Sequence, residues 1–152
     1  MSNDHFNQGR QVGFTTIELV VAFAIVFILV SVAVVSFQDH MARKARAQAH
    51  AALLEMAAGL RFQHARTGSF VMDALPMTQV PMDGDAVYRI SLSRAEVRAD
   101  DPKVVFPASS DQAFTLKAEP VEANDCGTLL LDHDGRFGVV GAGAKLADCW
   151  AR

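Results

Sequence analysis

The strongest pattern in this sequence is an apolar run close to its N-terminus. Every residue from Leu19 to Val30 is apolar, and between Phe14 and Phe37 only Glu18 carries a charge. Roughly 20 apolar residues are enough for a helix to cross a membrane, so the pattern predicts a spanning helix at 14–37. A short polar segment, residues 1–13, precedes it.

The helical pattern continues without a break into residues 38–66. This stretch is rich in Ala, Arg, Gln and Leu, which favour helix, and Gly59 is the only glycine between Phe14 and Arg66, where there is no proline. We therefore expect one helix of about 50 residues, apolar all round in its first half, one-sided in its second half, and ending at Thr67-Gly68. The apolar positions of the second half recur at steps of three and four: Met41, Ala45, Ala49, Ala52, Leu53, Met56, Ala57 and Leu60.

The remainder of the chain, 67–152, is predicted to consist of loops and short strands. Glycine and proline make 67–86 irregular, and the segment 94–112 is polar and ambiguous. Alternating or short apolar stretches bounded by turn residues predict strands at 87–93, 113–121 and in two pieces between 127 and 142, joined by a turn at 132–135.

Residues 113–121 show the predicted alternation best. Phe114 and Leu116 lie on one face, and Thr115 and Lys117 lie on the other. Three or four antiparallel strands of this kind can lay one apolar face on the stripe of the helix. The predicted fold is therefore α+β, a long N-terminal helix packed on a small antiparallel sheet. Aromatic side chains expected in its core or anchoring its loops are Phe62, Phe70, Phe106, Phe114 and Trp150.

Charge and motifs narrow the function classes. Residues 67–152 carry 8 basic and 13 acidic side chains, a net charge of −5 within a total of −3. Nucleic-acid binding relies on clustered Lys and Arg, so this balance argues against a DNA partner. The sequence contains no phosphate-binding loop, nucleophile elbow or HExxH motif, and we predict neither an enzyme nor a cofactor. The segment Asp132-His133-Asp134-Gly135 lacks the further ligands of a calcium loop and is better explained as a hairpin turn.

Two cysteines, Cys126 and Cys149, lie in the last 27 residues. Their spacing matches neither a CxxC pair nor a zinc site. A disulfide and two unrelated thiols both fit the spacing. The disulfide is favoured because a membrane segment is available to deliver the C-terminus outside the cytoplasm, where disulfides persist.

Taken together, the N-terminal residues resemble those of type IV pilin precursors. The resemblance rests on a short polar leader ending in Gly13, followed by FTTIELVVAFAIVFILV with Glu18 fifth after the glycine. The stretches YRISLS, AFTLKAEPV, CGTLLLDHDGRFGV and ADCW are similar to minor pilins of the PilE kind in type IVa pili. The resemblance covers nearly the whole chain. It is weakest between Arg94 and Gln112, a segment that looks longer than the corresponding segment of relatives.

The resemblance implies a role for each matching residue. A prepilin peptidase would cleave between Gly13 and Phe14 and methylate the new amino group of Phe14. Glu18 would pair with that amine on a neighbouring subunit. Cys126 and Cys149 would form a disulfide that bounds the C-terminal loop.

The resemblance also implies an organisation and a location. Residues 1–13 would be the leader, 14–37 the transmembrane and filament-core helix, 38–66 its amphipathic half, and 67–152 the head. The protein would cross the inner membrane once with its C-terminus in the periplasm, then join a pilus on the cell surface. Its partners would be other pilin subunits, the prepilin peptidase and methyltransferase, and the inner-membrane assembly machinery, in twitching, adhesion or DNA uptake.

Some residues depart from this pattern. Thr16 replaces a leucine, and Val35 replaces the proline at which the helix of most relatives bends, so a straighter helix is expected. Arg43, Lys44 and Arg46 follow the apolar run, which by the positive-inside rule favours a cytoplasmic C-terminus. The disulfide and the processing motif both require the opposite orientation, which we adopt.

Three rival functions remain at this level. A pseudopilin of a type II secretion system shares the N-terminal motif, although its head often uses a calcium site in place of the disulfide. A DNA-uptake pilin is opposed by the acidic head. A membrane-anchored enzyme or sensor would keep residues 1–13.

Overall fold

The computed structural model describes residues 15–143 and 145–150, with the side chains of 32–39 outside that description. The chain divides into two units, Met1–His40 and Met41–Arg152. The elements, in chain order, are α1 (Thr16–Thr67), β1 (Gln79–Val80), β2 (Tyr88–Leu92), β3 (Val97–Arg98), β4 (Val105–Phe106), β5 (Thr115–Pro120), β6 (Thr128–Asp132), β7 (Phe137–Val140) and α2 (Leu146–Trp150).

The predicted long helix is confirmed as α1, which has 52 residues. It begins after Thr15, whose hydroxyl accepts the backbone N–H of Glu18 at 3.4 Å, as an N-cap residue does. It ends where Gly68 adopts a positive φ of 75° and donates its N–H to the carbonyl of His64, a conformation that glycine adopts without steric cost. The predicted straightness at Val35 stays a prediction, since its side chain lies outside the described ones.

Among the described residues, no helix combines the length and the apolar character that crossing a membrane requires. The predicted spanning segment 14–37 lies partly outside the description, at Phe14 and at the side chains of 32–37. It stays a prediction.

The strands form one five-stranded antiparallel sheet in the order β1-β2-β5-β6-β7, and β3 pairs with β4 in a separate two-stranded sheet. The strands predicted at 87–93, at 113–121 and on both sides of the 132–135 turn are all present. Adjacent strands are joined in clear register, for example Ile90 opposite Ala118 and Leu116 opposite Leu131. The predicted α+β fold is confirmed.

The core lies between the second half of α1 and one face of the five-stranded sheet. Seven of the eight predicted stripe residues are buried: Ala45, Ala49, Ala52, Leu53, Met56, Ala57 and Leu60. They pack with sheet residues such as Ile90, Leu116 and Leu129. The prediction is wrong for Met41, which is 46% exposed, because the buried part of the stripe begins one turn later at Ala45.

The ambiguous segment 94–112 contains an outer layer, residues 94–106, which covers the opposite face of the sheet at β6 and β7. Phe106 and Ala99 pack there against Leu130 of β6, and the ring of Phe106 lies over Gly138 of β7, where a Cβ atom would come within 2.5 Å of the ring. Both faces of β6 are therefore covered. The layer makes Leu130 a core residue although its neighbours Leu129 and Leu131 point to the helix.

Thr115 lies on the predicted polar face of β5, but its side chain is not exposed. It is fully buried, because its hydroxyl donates to the carbonyl of Pro107 at 2.7 Å and its N–H donates to the hydroxyl of Ser109 at 3.1 Å. The polar side chain is thus satisfied beneath the segment that follows the outer layer. Lys117 does lie on the partly exposed face, and its ammonium group contacts Glu119 at 2.8 Å.

Candidate functional site

The predicted processing residues Gly13 and Phe14 lie outside the described residues. Glu18, the predicted assembly residue, is described: it lies in the first turn of α1 and is exposed. A carboxylate in the first turn interacts favourably with the helix dipole. Within the described part of the chain Glu18 has no ion-pair partner.

The first half of α1 exposes its apolar side chains on all sides. Between Ile17 and Val30 every large apolar side chain is at least half exposed, from Val21 at 50% to Phe27 at 76%. Apolar surface of this extent is unfavourable in water. This half of the helix therefore requires an apolar environment that the described chain does not provide.

The predicted disulfide is present between Cys126 and Cys149, whose Cα atoms lie 5.5 Å apart. Both cysteines are buried. The bond joins the segment before β6 to α2, and so closes a loop that contains β6, β7 and the turn between them. The C-terminal end is thereby tied to the core of the head.

Trp150 and His50 hold the same end of the chain against α1. Their rings stack with centroids 4.3 Å apart and planes 6° from parallel, and the indole N–H of Trp150 donates to the carbonyl of Gly138 at 3.1 Å. The predicted anchoring role of Trp150 is confirmed. The role of His50 was not predicted, because only the tertiary fold places α2 beside it.

Burial lowers the pKa of His50 below its ordinary value of 6.5. The charge of Arg46, one turn earlier, lowers the pKa further, whereas a hydrogen bond with the backbone of Cys149 acts in the opposite direction. The Nε2 atom of His50 is buried without a hydrogen-bond partner among the described residues. These contacts favour the neutral imidazole at neutral pH.

The turn between β6 and β7 is organised by Asp132. Its carboxylate is fully buried, lies 2.6 Å from the guanidinium of Arg136, and accepts the backbone N–H groups of Asp134 and Arg136. Ligand-type atoms of Asp132, His133 and Asp134 lie within 4.8 Å of one another. Because Arg136 and the two amides already engage Asp132, this arrangement is explained by the predicted hairpin turn.

The prediction that the aromatic side chains lie in the core or anchor loops is wrong for Phe62. It is 66% exposed on α1, whereas Phe70, Phe106 and Phe114 are buried as predicted. Leu54, two turns earlier on the same side, is 46% exposed. A helical wheel of residues 45–67 shows this second apolar face. The prediction missed it because it considered only one apolar stripe.

Comparison with known proteins identifies the family. Residues 35–130 match the family model described as "Type IV minor pilin ComP, DNA uptake sequence receptor". The structure of the Neisseria meningitidis non-core minor pilin PilV is similar at 16% identity, over 70% of this chain and 94% of that chain, with a TM-score of 0.45. A type IV pilin of Shewanella oneidensis is similar at 26% identity over the same shares, with a TM-score of 0.41.

Among curated proteins, none matches this chain significantly. The family model nevertheless covers well over half of the 152 residues, including the second half of α1, β1 to β5 and the beginning of β6. Subunits of this family are structural and assemble with other pilins in a pilus. The chain belongs to the type IV minor pilin family, and it is a minor pilin subunit of a type IV pilus.

Proposed function

We propose that this minor pilin enters the pilus by burying the first half of α1 among the helices of other pilins, while its head faces outward. The exposed apolar surface between Ile17 and Val30 is the observation that carries the proposal. The head, by contrast, closes its own core around the second half of α1. The head buries its own core, whereas the first half of α1 leaves its apolar side chains exposed. This combination is expected of a subunit that is held in a polymer through its helix.

Before assembly, the same apolar half of the helix would hold the protein in the inner membrane, with the head in the periplasm. The buried disulfide supports this orientation, because disulfides persist in oxidising compartments. The prepilin peptidase would cleave after Gly13 and methylate Phe14, and the inner-membrane assembly machinery would then extract the subunit.

In this proposal, the carboxylate of Glu18 forms an ion pair with the amine of Phe14 on a neighbouring subunit. A carboxylate in an apolar environment is costly unless a cation meets it, and the amino group released by cleavage is such a cation. Its place in the first turn of α1, near the processed end, supports this role.

The test is the intact mass and N-terminal sequence of the protein from native membranes and from sheared pili. We expect residues 1–13 to be absent and Phe14 to be methylated. Replacing Glu18 by Gln should leave cleavage intact and reduce the amount of protein in pili. An N-terminus that retains Met1 or Ser2 in both fractions would refute the proposal in favour of an uncleaved anchor.

A second candidate function is contact with DNA during uptake, which the description of the matched family favours. The net charge of −5 in residues 67–152 opposes it, but the outer layer, residues 94–106, offers a local exception. Arg94, Arg98 and Lys103 are exposed and have no ion-pair partner among the described residues.

The acids of the same layer are mostly engaged by the backbone. Both carboxylate oxygens of Asp100 accept N–H groups, from Gly141 at 2.9 Å and Ala142 at 2.7 Å. Asp101 accepts the N–H of Lys103 at 3.0 Å, which leaves Glu96 as the acid without such a bond. Three available cations beside acids whose oxygens already accept backbone N–H groups could meet the phosphates of DNA.

The measurement is the binding of duplex DNA by the full chain in detergent between 50 and 200 mM salt. Replacing Arg94, Arg98 and Lys103 together by Gln should weaken binding and reduce the magnitude of the log–log salt slope by about 3, roughly 0.9 for each lost phosphate contact. The matched control replaces Arg66, Arg89 and Lys145, which removes the same charge elsewhere. Equal losses in both triple variants would show that the outer layer is not the contact.

A further inference from the structure

The two edges of the five-stranded sheet differ in how they are covered. At β7, the carbonyl of Val139 accepts the N–H of Asp100, and the carbonyl of Gly138 accepts the indole N–H of Trp150. At the other edge, β1 is two residues long and pairs only with the beginning of β2. Within the described sheet, the end of β2 therefore has a neighbouring strand on one side only.

The backbone groups that are free at this edge follow from the alternation of hydrogen bonds in an antiparallel pair. Ser93 donates its N–H to the carbonyl of Thr115, so Leu92 directs its own N–H away from β5. On that side Ile90 still donates to the carbonyl of Thr78, but the N–H of Leu92 has no hydrogen-bond partner among the described residues. A strand edge with a free donor is a template for one more strand.

This edge borders a cavity of about 970 Å³, which lies between segment 70–75 and the beginning of the outer layer. Ligand pockets commonly have volumes of roughly 300–1,000 Å³. One wall of the cavity is apolar. Met72, Leu75 and Leu92 pack against the core on the helix side of the sheet and remain partly exposed, and Val71 beside them is 60% exposed.

The other wall of the cavity is polar and carries more positive than negative charge. Ser91 lies opposite Lys117 of β5, and both line the cavity together with Arg94. Arg94 is exposed and has no ion-pair partner among the described residues, whereas Lys117 contacts Glu119 at 2.8 Å. The lining contains one acid, Asp73. An anionic group is therefore the better electrostatic match to this wall.

We propose that the free edge of β2 binds an extended acidic peptide of a partner protein, which adds to the sheet as a further strand. Side chains alternate between the two faces of a strand. The bound peptide would thus place apolar side chains beside Leu92 and acidic side chains beside Lys117 and Arg94. The free N–H of Leu92 favours a peptide, because an added strand supplies a carbonyl group at that position. This inference goes beyond the proposed function, since neither the apolar half of α1 nor assembly takes part in it.

The first test measures amide hydrogen exchange by NMR in the full chain, held in phosphatidylcholine nanodiscs so that no free detergent enters the cavity. The probe is an acetylated and amidated hexapeptide of alternating valine and glutamate. At ten times its Kd, the exchange of the Leu92 amide should slow about tenfold by mass action. The Ser91 amide faces β5 and is the internal control, which should not change.

Two results of this test would overturn the proposal. One is an unchanged Leu92 amide at saturation or the lack of saturable binding. The other is a Leu92 amide that already exchanges as slowly as that of Ser91 without peptide, because the edge would then not be free.

The second test concerns the charges. Replacing Arg94 and Lys117 together by Gln should weaken binding of the peptide about tenfold, the loss expected from two partly exposed ion pairs. The matched control replaces Arg89 and Lys145 by Gln, which removes the same charge outside the cavity lining. A peptide with lysine in place of glutamate should also bind at least about tenfold more weakly. Equal losses in both double variants, or equal binding of both peptides, would contradict an acidic ligand.

A third test distinguishes a peptide from a lipid-like occupant. Decanoate carries a carboxylate and an apolar chain but no amide groups. We expect it to leave the peptide bound at equal concentration and the Leu92 amide unprotected. Displacement of the peptide by decanoate would assign the cavity to an anionic amphiphile and overturn the proposal. None of these measurements depends on incorporation into pili, so a failure here is distinct from a failure of the proposed function.

Discussion

The two halves of α1 use the same kinds of residue in opposite ways. Between Ile17 and Val30 all large apolar side chains are exposed, whereas Leu53, Ala57 and Leu60 in the second half are fully buried. The difference does not follow from apolar character alone, because both halves contain large apolar residues, mainly Val, Ile, Leu and Phe in the first half and Leu, Met and Phe in the second. It comes from the sheet, which covers one face of the second half and leaves the first half to partners outside the chain.

This contrast separates two kinds of requirement. The second half of α1 and the sheet stabilise the folded subunit, because the area that they bury is removed from water within one chain. The first half contributes its apolar area only after insertion or assembly. Substitutions in the two halves should therefore change different measured quantities, stability in one and incorporation in the other.

The largest expected effect comes from Leu53→Ala. Leu53 is fully buried between α1 and the sheet, so its truncation should lower the free energy of unfolding by about 2–5 kcal/mol. Ile25→Ala and Leu54→Ala, at residues that are 53% and 46% exposed, should change it by less than ~0.5 kcal/mol. The measurement is chemical denaturation of the full chain in mild detergent, followed by the fluorescence of Trp150. Similar losses of unfolding free energy in Ile25→Ala and Leu53→Ala would contradict the difference between the two halves of α1.

Removing the disulfide should have the next largest effect. Replacing Cys126 and Cys149 together by Ala frees a loop with a sequence separation of 23 residues, which should cost about 3 kcal/mol in the chain-entropy model. Reduction of the unaltered protein should lower its unfolding midpoint similarly. A midpoint that is unchanged by reductant would show that Trp150 and the core hold α2 without the covalent bond.

Gly138→Ala should destabilise the outer layer. The new methyl group would meet the ring of Phe106 at 2.5 Å, and such overpacking costs about 1–3 kcal/mol. Gly59→Ala is the control, since Gly59 is within a helix and, apart from the neighbouring helix backbone, no described heavy atom lies within 4 Å of the added group. It should be neutral or stabilising. Calorimetry of the two variants gives the comparison directly.

The smallest effect concerns His50 and pH. Its pKa in the folded protein lies below the ordinary value of 6.5, so the unfolded state binds the proton more tightly. The stability that neutral His50 contributes is complete above pH 6.5 and decreases as the pH falls below that value towards the folded pKa. Replacing His50 by Gln should flatten this dependence between pH 7.5 and 5. If stability depends on pH in the same way after this replacement, groups other than His50 cause the dependence.

Several features of the fold can be predicted from sequence patterns because they depend on local spacing. The helix boundaries follow from helix-forming residues, the absence of proline, and the stop at Gly68. The turn at 132–135 follows from Asp and Gly, whose backbone and side-chain preferences suit tight turns. Gly135 does adopt a positive φ of 83°.

Other features depend on which distant segments meet, and local patterns do not encode this. Thr115 looked solvent-exposed by alternation but is covered by the segment at Pro107 and Ser109. Phe62 is predicted as a core or loop-anchoring aromatic, but its side chain on α1 is 66% exposed. The stack of His50 on Trp150 joins residues that are 100 positions apart.

The sequence by itself therefore determined the long helix with its apolar half, the strands β2, β5, β6 and β7, and the buried stripe from Ala45 onward, because these depend on propensities and periodicities within a few turns. The tertiary structure alone decided that residues 94–106 cover the second face of the sheet at β6 and β7, that α2 is anchored on His50, and that Leu54 and Phe62 stay exposed. The physical reason is that burial depends on which surfaces meet across long chain separations.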